Sequence, residues 1–188
     1  MIVPRILALL ANSSPLAHRR AAAFTLSCML SPNSTYEHQA LAASMVIPIL
    51  HGPFLDVGTQ ELSQDSPSSL PAKVQHALSP TAAFSTLVVF IMLADPSPTL
   101  ISTLLTPIMP CLYALSAYMD RTKTTDPMLK ESMNSLLATW GRVVVSSECF
   151  DNLWCVLEGV GGAWEIDIAG EIRAVERWVI SSESQEKH

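Results

Sequence analysis

Histidines, the residues most often used for acid–base chemistry and metal binding near neutral pH, are scattered along this sequence. No HExxH pattern, no histidine–cysteine knuckle and no pair of carboxylates on one helical face accompanies them. We therefore predict that they have structural or solvent-facing roles and that the protein has no metal site. The five histidines are His18, His38, His51, His76 and His188.

Glycines and serines form no recognisable catalytic or phosphate-binding motif either. The glycine cluster Gly159-Val160-Gly161-Gly162 lacks a preceding predicted strand and a GKS or GKT ending, so we interpret it as a helix terminator. No serine lies in a Gly-x-Ser-x-Gly elbow, and no nucleophile stands beside a base that could activate it. The sequence thus predicts no catalytic residue and no cofactor-binding residue, and we expect a protein that is not an enzyme.

The four cysteines indicate a reducing compartment. They form no CxxC pair and no zinc-type spacing, and each lies on an apolar pattern, where a free thiol usually behaves as a small hydrophobe. We therefore expect a cytoplasmic protein. The cysteines are Cys28, Cys111, Cys149 and Cys155.

The tryptophans offer the best clue to a partner surface, because all four lie in the last third of the chain. Large aromatic side chains are favoured anchors at protein interfaces. Trp140 and Trp154 are in phase with the apolar stripes of their predicted helices, so we assign both to the core. Trp164 and Trp178 remain as the candidate partner-surface residues.

The composition is unusually apolar for a protein free in solution. Hydrophobic residues make up 49% of the chain and charged residues 15%, whereas an average soluble domain carries about 25% charged residues. The surface of an internal piece of a longer helical stack would be covered by its neighbours, and a segment in a membrane would also need few charges. The net charge of −6 argues against nucleic acid as a partner.

One segment keeps a membrane interpretation open. Leu100 to Met119 is 20 residues without a formal charge, about the length that crosses a bilayer. Pro107 and Pro110 and the absence of a positive flank argue against a span. We keep membrane association as an alternative.

The clearest helical pattern follows Asp126, which is well placed as an N-cap, with Pro127 at the first helical position. A capping residue followed by proline occurs four times: Ser14-Pro15, Ser79-Pro80, Ser97-Pro98 and Asp126-Pro127. One stripe of the helix after Pro127 comprises Leu129, Met133, Leu136, Leu137, Trp140 and Val144.

Similar patterns predict helices over residues 15–30, 35–50, 81–94 and 99–120. We expect His51-Gly52-Pro53 to stop the second of these, and Pro107 and Pro110 to kink the last. A shorter helix capped by Ser147 carries one apolar face: Phe150, Leu153, Trp154 and Leu157. A final amphipathic helix after the glycine cluster has four apolar residues in line: Ile168, Ile172, Val175 and Val179.

The first helices resemble a HEAT-type repeat. A short helix, a tight polar turn and then Arg19, Ala22 and Leu26 in an Arg-x-x-Ala-x-x-x-Leu pattern are typical of such pairs. No strand is convincing, so we predict an all-α fold, an irregular HEAT-like α-solenoid of about seven or eight helices, with a plain helical bundle as the alternative. We divide the chain into a HEAT-like segment (1–54), a flexible polar loop (55–78), a main helical segment (79–180) and a disordered tail (181–188).

The second half resembles the fungal RNA polymerase II assembly factor family, which is related to the animal transport-and-Golgi-organisation proteins of HEAT-repeat type. The resemblance covers roughly Thr81 to Trp178, with a weaker likeness in Pro4 to Leu30. It is strongest at Asp126-Pro127, Thr139-Trp140-Gly141-Arg142 and Gly161-Gly162-Ala163-Trp164.

That resemblance implies a non-enzymatic scaffold for protein–protein interaction that assists RNA polymerase II assembly and nuclear import. Because members of the family are much longer, it also implies that this chain is a fragment whose neighbouring repeats are among its partners. It further implies a cytoplasmic protein that shuttles to the nucleus, or, as the alternative, a membrane-associated component of secretory transport. No functional residue of the family can be assigned to a position in this sequence.

Overall fold

The computed structural model describes residues 2–31, 36–55, 78–95, 97–122 and 126–175, and 75% of these residues are helical. The mostly helical character predicted from the sequence is confirmed. A short 3-10 turn, Thr106–Ile108, joins α5 to α6. The elements are α1 (Val3–Ala8), α2 (Leu16–Leu30), α3 (Tyr36–Leu55), α4 (Pro80–Leu93), α5 (Pro98–Leu105), α6 (Met109–Arg121), α7 (Pro127–Val143), α8 (Ser146–Leu157), β1 (Ala163–Ile166) and β2 (Ile172–Val175).

Some features predicted from the sequence lie outside the described residues. Residues 56–77 of the predicted loop are among them, as are the predicted tail 181–188 and the candidate partner residue Trp178.

Three of the four predicted cap-plus-proline starts form as the sequence indicates. In each, a side-chain oxygen of the residue before proline accepts a hydrogen bond of 2.9–3.4 Å from a backbone N–H in the first turn. At the fourth, Pro15 itself is in the cap position, and α2 begins at Leu16 with no side-chain cap bond. The three capping residues are Ser79, Ser97 and Asp126.

The prediction that His51-Gly52-Pro53 stops the third helix is wrong, because α3 continues to Leu55 with Pro48 and Pro53 inside it. Each proline removes one backbone hydrogen bond from the helix. The last turns are nonetheless buried against the core through Leu50, His51 and Phe54. Burial of these side chains outweighs the lost backbone bonds.

The predicted helix over residues 99–120 is interrupted near the two prolines, since Pro107 lies in the 3-10 turn between α5 and α6 and Pro110 lies in the first turn of α6. By length and composition alone, Pro98–Arg121 is long and apolar enough to cross a membrane. More than half of its most apolar window (56%) is buried inside the protein. The same segment therefore forms a large part of the core between α3, α7 and α8.

The prediction of a final amphipathic helix after the glycine cluster is wrong. The chain instead forms an antiparallel hairpin in which Trp164 pairs with Ala174 and Ile166 with Ile172. Between the strands, the Asp167 carboxylate accepts hydrogen bonds from two backbone N–H groups, and Gly170 adopts a φ of 83°. A helix would need Gly170 in its interior and would forfeit this turn. Ile168, which we placed on the helix's apolar face, is fully exposed in the turn.

The hairpin joins parts of the chain that are far apart in sequence. Strand β1 packs against α6, while β2 packs against α4. The backbone N–H of Ile172 also donates to Thr81 Oγ1 at 2.8 Å. The helices of the two predicted helical segments, 1–54 and 79–180, contribute to one hydrophobic core, with α4 packed on α2 and α3.

His51 is a polar group within this core. Its Nε2–H donates to the carbonyl of Leu104 at 2.8 Å, one of the last carbonyls of α5, which lack partners within a helix. Its Nδ1 has no hydrogen-bond partner among the described residues. Burial lowers the pKa of His51 from its ordinary value of 6.5, and the hydrogen bond to Leu104 opposes this only in part.

We expect His51 to make stability fall as the pH drops below 6.5. There the unfolded chain binds a proton at this histidine and the folded chain resists it, so protonation favours unfolding until the lowered folded-state pKa is reached. The variant His51→Gln does not titrate and keeps an N–H donor. Urea unfolding at pH 7.5 and at pH 5.5 should show a smaller pH-dependent loss for this variant. An equal loss in both proteins would contradict the assignment.

Candidate functional site

The residues that carry chemistry in other proteins remain dispersed in the structure. His18 and His38 are exposed on α2 and α3, whereas His51 is committed to the core. No group of three or more metal-binding side chains occurs among the described residues. His76 and His188 lie outside them.

The four cysteines are free thiols. Cys111 is buried on α6, with Sγ 3.5 Å from the carbonyl of Phe54. Burial raises its pKa to about 11, so at neutral pH it is a protonated thiol and a poor nucleophile. Cys28 is exposed on α2, and Cys149 and Cys155 are partly exposed on α8.

The tryptophans are distributed differently from the sequence prediction. Trp140 is 1% exposed, so its assignment to the core is confirmed. Trp154 was assigned to the core as well, and this is wrong, because 62% of it is exposed. Trp164 was a candidate partner residue, but it is 4% exposed, packs on the Phe54 ring at 5.8 Å and donates from Nε1 to Gly161. It is a core residue of the hairpin and has almost no surface to offer a partner.

Helix α8, which carries Trp154, is held in place on one side by a chain of hydrogen bonds. The Trp140 indole N–H donates to Thr106 Oγ1 at 3.0 Å, and the hydroxyls of Thr106 and Ser102 lie 3.0 Å apart. Ser102 in turn donates to Glu148 Oε2 at 3.1 Å. In this arrangement the Thr106 and Ser102 hydroxyls can each donate one hydrogen bond and accept one. The three hydrogen bonds tie α7, α5 and α8 together.

The opposite side of α8 is largely exposed among the described residues. No side chain between Ser146 and Leu157 is fully buried. The predicted apolar stripe does form, but it faces outward, with Phe150 72% and Leu157 78% exposed. We call this surface the α8 stripe and define it as Phe150, Leu153, Trp154 and Leu157.

Two acidic residues flank the α8 stripe. Asp151 and Glu158 follow Phe150 and Leu157 by one residue each, which places both on the same flank of the helix. Both are exposed, and Glu158 accepts a hydrogen bond from the Trp154 indole at 2.6 Å. That bond fixes the Trp154 ring beside the carboxylate. The α8 stripe is thus an apolar surface with an acidic border.

The glycine cluster ends α8, as the sequence predicts. The helix stops at Leu157 and the chain turns through residues 158–161, with Gly159 and Gly162 at positive φ values of 74°. The left-handed backbone suits glycine and not side-chain-bearing residues. The turn sends the chain back across α6 as β1.

A second apolar surface lies between α2 and α3. It is an open groove of about 520 Å³, in which Phe24 and Leu41 are exposed and Met29 and Met45 line the floor. Its polar lining residues are Thr25, Cys28 and His38. Cys28 and His38 form no hydrogen bond with each other and no carboxylate lines the groove, so it offers apolar contact and no assembled catalytic pair.

Fold and surface together define a mostly helical protein with an exposed, acid-bordered apolar helix and no assembled catalytic centre among its described residues. Searches of protein-family models, of curated proteins and of solved structures find no match to this chain.

Proposed function

We propose that this protein is a non-enzymatic, HEAT-like helical scaffold that binds other proteins, and that the α8 stripe is its docking surface. The observation that carries the proposal is the exposure of four large apolar side chains on one helix that is anchored on its other side. Contiguous apolar patches of this kind on soluble proteins mark interaction sites. Such a protein acts in the cytoplasm, with shuttling to the nucleus.

The architecture supports a docking role because α8 is presented as a rigid unit. Glu148 is tied to Ser102, and Cys149 packs against the core, so the helix keeps its orientation when the outer face is free. A preorganised apolar helix loses little conformational freedom on binding, so more of the contact energy appears as affinity. Trp154 near the centre of the patch and Phe150 at one end are suitable anchors.

The particular partners that we propose are subunits of RNA polymerase II, on the strength of the resemblance of residues 81–178 to the fungal assembly factors. Neighbouring repeats of a longer chain are partners of the same kind. A pull-down with the tagged 188-residue chain should recover these subunits. Failure to recover them with this chain and with any longer form of the protein would remove the polymerase proposal.

The docking surface is tested with a matched pair of double variants. Phe150→Ser with Leu157→Ser should abolish recovery of the subunits, because it removes both ends of the stripe. The control, Met92→Ser with Met128→Ser, alters two equally exposed apolar side chains on α4 and α7 and should leave recovery unchanged. Equal recovery by the unsubstituted chain and by both double variants would show that the partner binds elsewhere. Circular dichroism spectra establish that each variant is folded.

Membrane association in secretory transport is the second candidate, favoured by the length and apolar character of Pro98–Arg121. It requires this segment to leave the core to which it contributes Leu104, Ile108 and Leu112. Because that exposes the apolar partners of these residues, we rank it below the scaffold. Alkaline carbonate extraction of membranes from cells that express the tagged chain decides between the two. Retention in the pellet would support the span, and release would support the scaffold.

A further inference from the structure

Building on the proposed scaffold function, we propose that the α8 stripe takes a basic amphipathic helix of the partner protein. The apolar side of that helix covers Phe150, Leu153, Trp154 and Leu157, and its lysine or arginine side chains pair with Asp151 and Glu158.

The form of the occupant follows from the shape of the stripe. Its side chains recur at three- and four-residue steps from Phe150 to Leu157, two turns or about 10 Å of helix. A partner helix meets such a surface with anchors at i, i+3, i+4 and i+7. An extended peptide would need unpaired backbone donors and acceptors, and those of α8 are used within the helix.

The charge of the occupant follows from the border of the stripe. Residues 146–171 contain six acidic residues and no lysine or arginine. Two of the six, Glu148 and Asp167, are engaged with Ser102 and Arg173. Asp151 and Glu158, beside the stripe, have no basic partner among the described residues. A basic flank on the arriving helix supplies the missing positive charges.

The same border disfavours two other occupants. A second copy docked through its own α8 stripe would bring four carboxylates together along the seam, which is repulsive. An anionic lipid surface would be repelled in the same way, since it recruits basic amphipathic helices and not acidic ones. A partner with basic residues beside its apolar side is the occupant that both features of the surface fit.

The test uses two synthetic amphipathic helices with the same leucine stripe, one with lysine and one with glutamate at the polar positions. Fluorescence anisotropy of the labelled peptides is measured with the full chain at a physiological ionic strength of about 0.15 M. We expect the leucine–lysine peptide to bind about tenfold more tightly than the leucine–glutamate peptide, the effect of two exposed ion pairs replaced by like-charge contacts.

Three double variants test whether the preference for the lysine peptide depends on the α8 stripe and its acidic border. Asp151→Asn with Glu158→Gln should remove the preference for the lysine peptide. Glu37→Gln with Glu131→Gln, which removes two exposed charges on α3 and α7, should keep it. Phe150→Ser with Leu157→Ser should weaken binding of both peptides. Binding of the lysine peptide that survives this last pair would be non-specific charge attraction and would overturn the inference.

The outcomes separate this inference from the proposed function. Equal binding of both peptides, lost in the Phe150→Ser/Leu157→Ser variant, would overturn the basic partner and leave the docking surface intact. Binding of neither peptide would overturn both. Sedimentation that shows a dimer dependent on Phe150 and Leu157 would overturn the inference in favour of a second copy.

Discussion

Replacement of Gly161 by alanine is expected to unfold or severely destabilise the protein. A Cβ atom at this position would lie 2.1 Å from the carbonyl oxygen of Pro110 and 2.4 Å from its carbonyl carbon. These are backbone atoms in the first turn of α6, so they cannot move aside as a flexible side chain would. We expect the loss to exceed the roughly 1–3 kcal/mol typical of overpacking. Urea unfolding followed by circular dichroism measures it.

Gly141→Ala is the matched control and should act in the opposite direction. Gly141 lies in α7, and a Cβ there would meet no described atom within 4 Å apart from its chain neighbours and the nearby backbone of its own helix. Alanine favours helix over glycine by about 0.5–1 kcal/mol, so this variant should be as stable as the natural protein or slightly more stable. If both substitutions left stability unchanged, the close packing of the glycine turn on α6 would be wrong.

Trp140→Ala should cost about 3–5 kcal/mol, the usual loss for a large aromatic side chain removed from a core. The ring fills the space beside Tyr113, with centroids 6.5 Å apart, and its N–H donates to Thr106. Truncation leaves a cavity and removes the donor at the start of the hydrogen-bond chain that reaches α8. Thermal and urea unfolding should both show the loss.

Trp154→Ala is the comparison for this loss, since it removes the same side chain from an exposed position. Stability should change by no more than about 0.5 kcal/mol, whereas binding through the α8 stripe should fall. A large loss of stability from Trp154→Ala would mean that α8 packs with its other face toward the core. Circular dichroism is the appropriate signal, because either substitution changes the tryptophan fluorescence.

The difference in exposure between Trp140 and Trp154 shows what the helical spacing of apolar residues can predict and what it cannot. Both lie on the apolar stripe of a regular helix, and the sequence assigns both to the core. Periodicity places side chains on one face of a helix, but it contains no information about whether another element covers that face. The apolar face of α8 was therefore predicted correctly, whereas the assignment of Trp154 to the core was wrong. The acidic residues beside this face, Asp151 and Glu158, were visible in the sequence. Acidic residues are too common on helices, however, to show whether the neighbouring apolar face is exposed.

The hairpin shows a competition between two patterns. Ile168, Ile172 and Val175 are spaced for a helix, whereas Trp164, Ile166, Ile172 and Ala174 alternate as strands do. The Asp167-to-Gly170 turn and the burial of Trp164 against Phe54 favour the second pattern. A turn signal of this kind could have been recognised in the sequence. The contact with Phe54, more than a hundred residues away, could not.

The sequence by itself determined the helical class, the cap-plus-proline starts at Ser79, Ser97 and Asp126, the tightened turn at Pro107 and the glycine terminator of α8. These features depend on interactions within a few residues, so local sequence is sufficient to specify them. The tertiary structure decided that α3 runs through Pro53, that residues 163–175 form a β-hairpin, that Trp164 is buried and that Trp154 is exposed. The first three depend on burial against residues distant in the chain, and that energy exceeds the local preferences that the sequence displays. The exposure of Trp154 depends on whether another element covers the outer face of α8, and none of the described residues buries it.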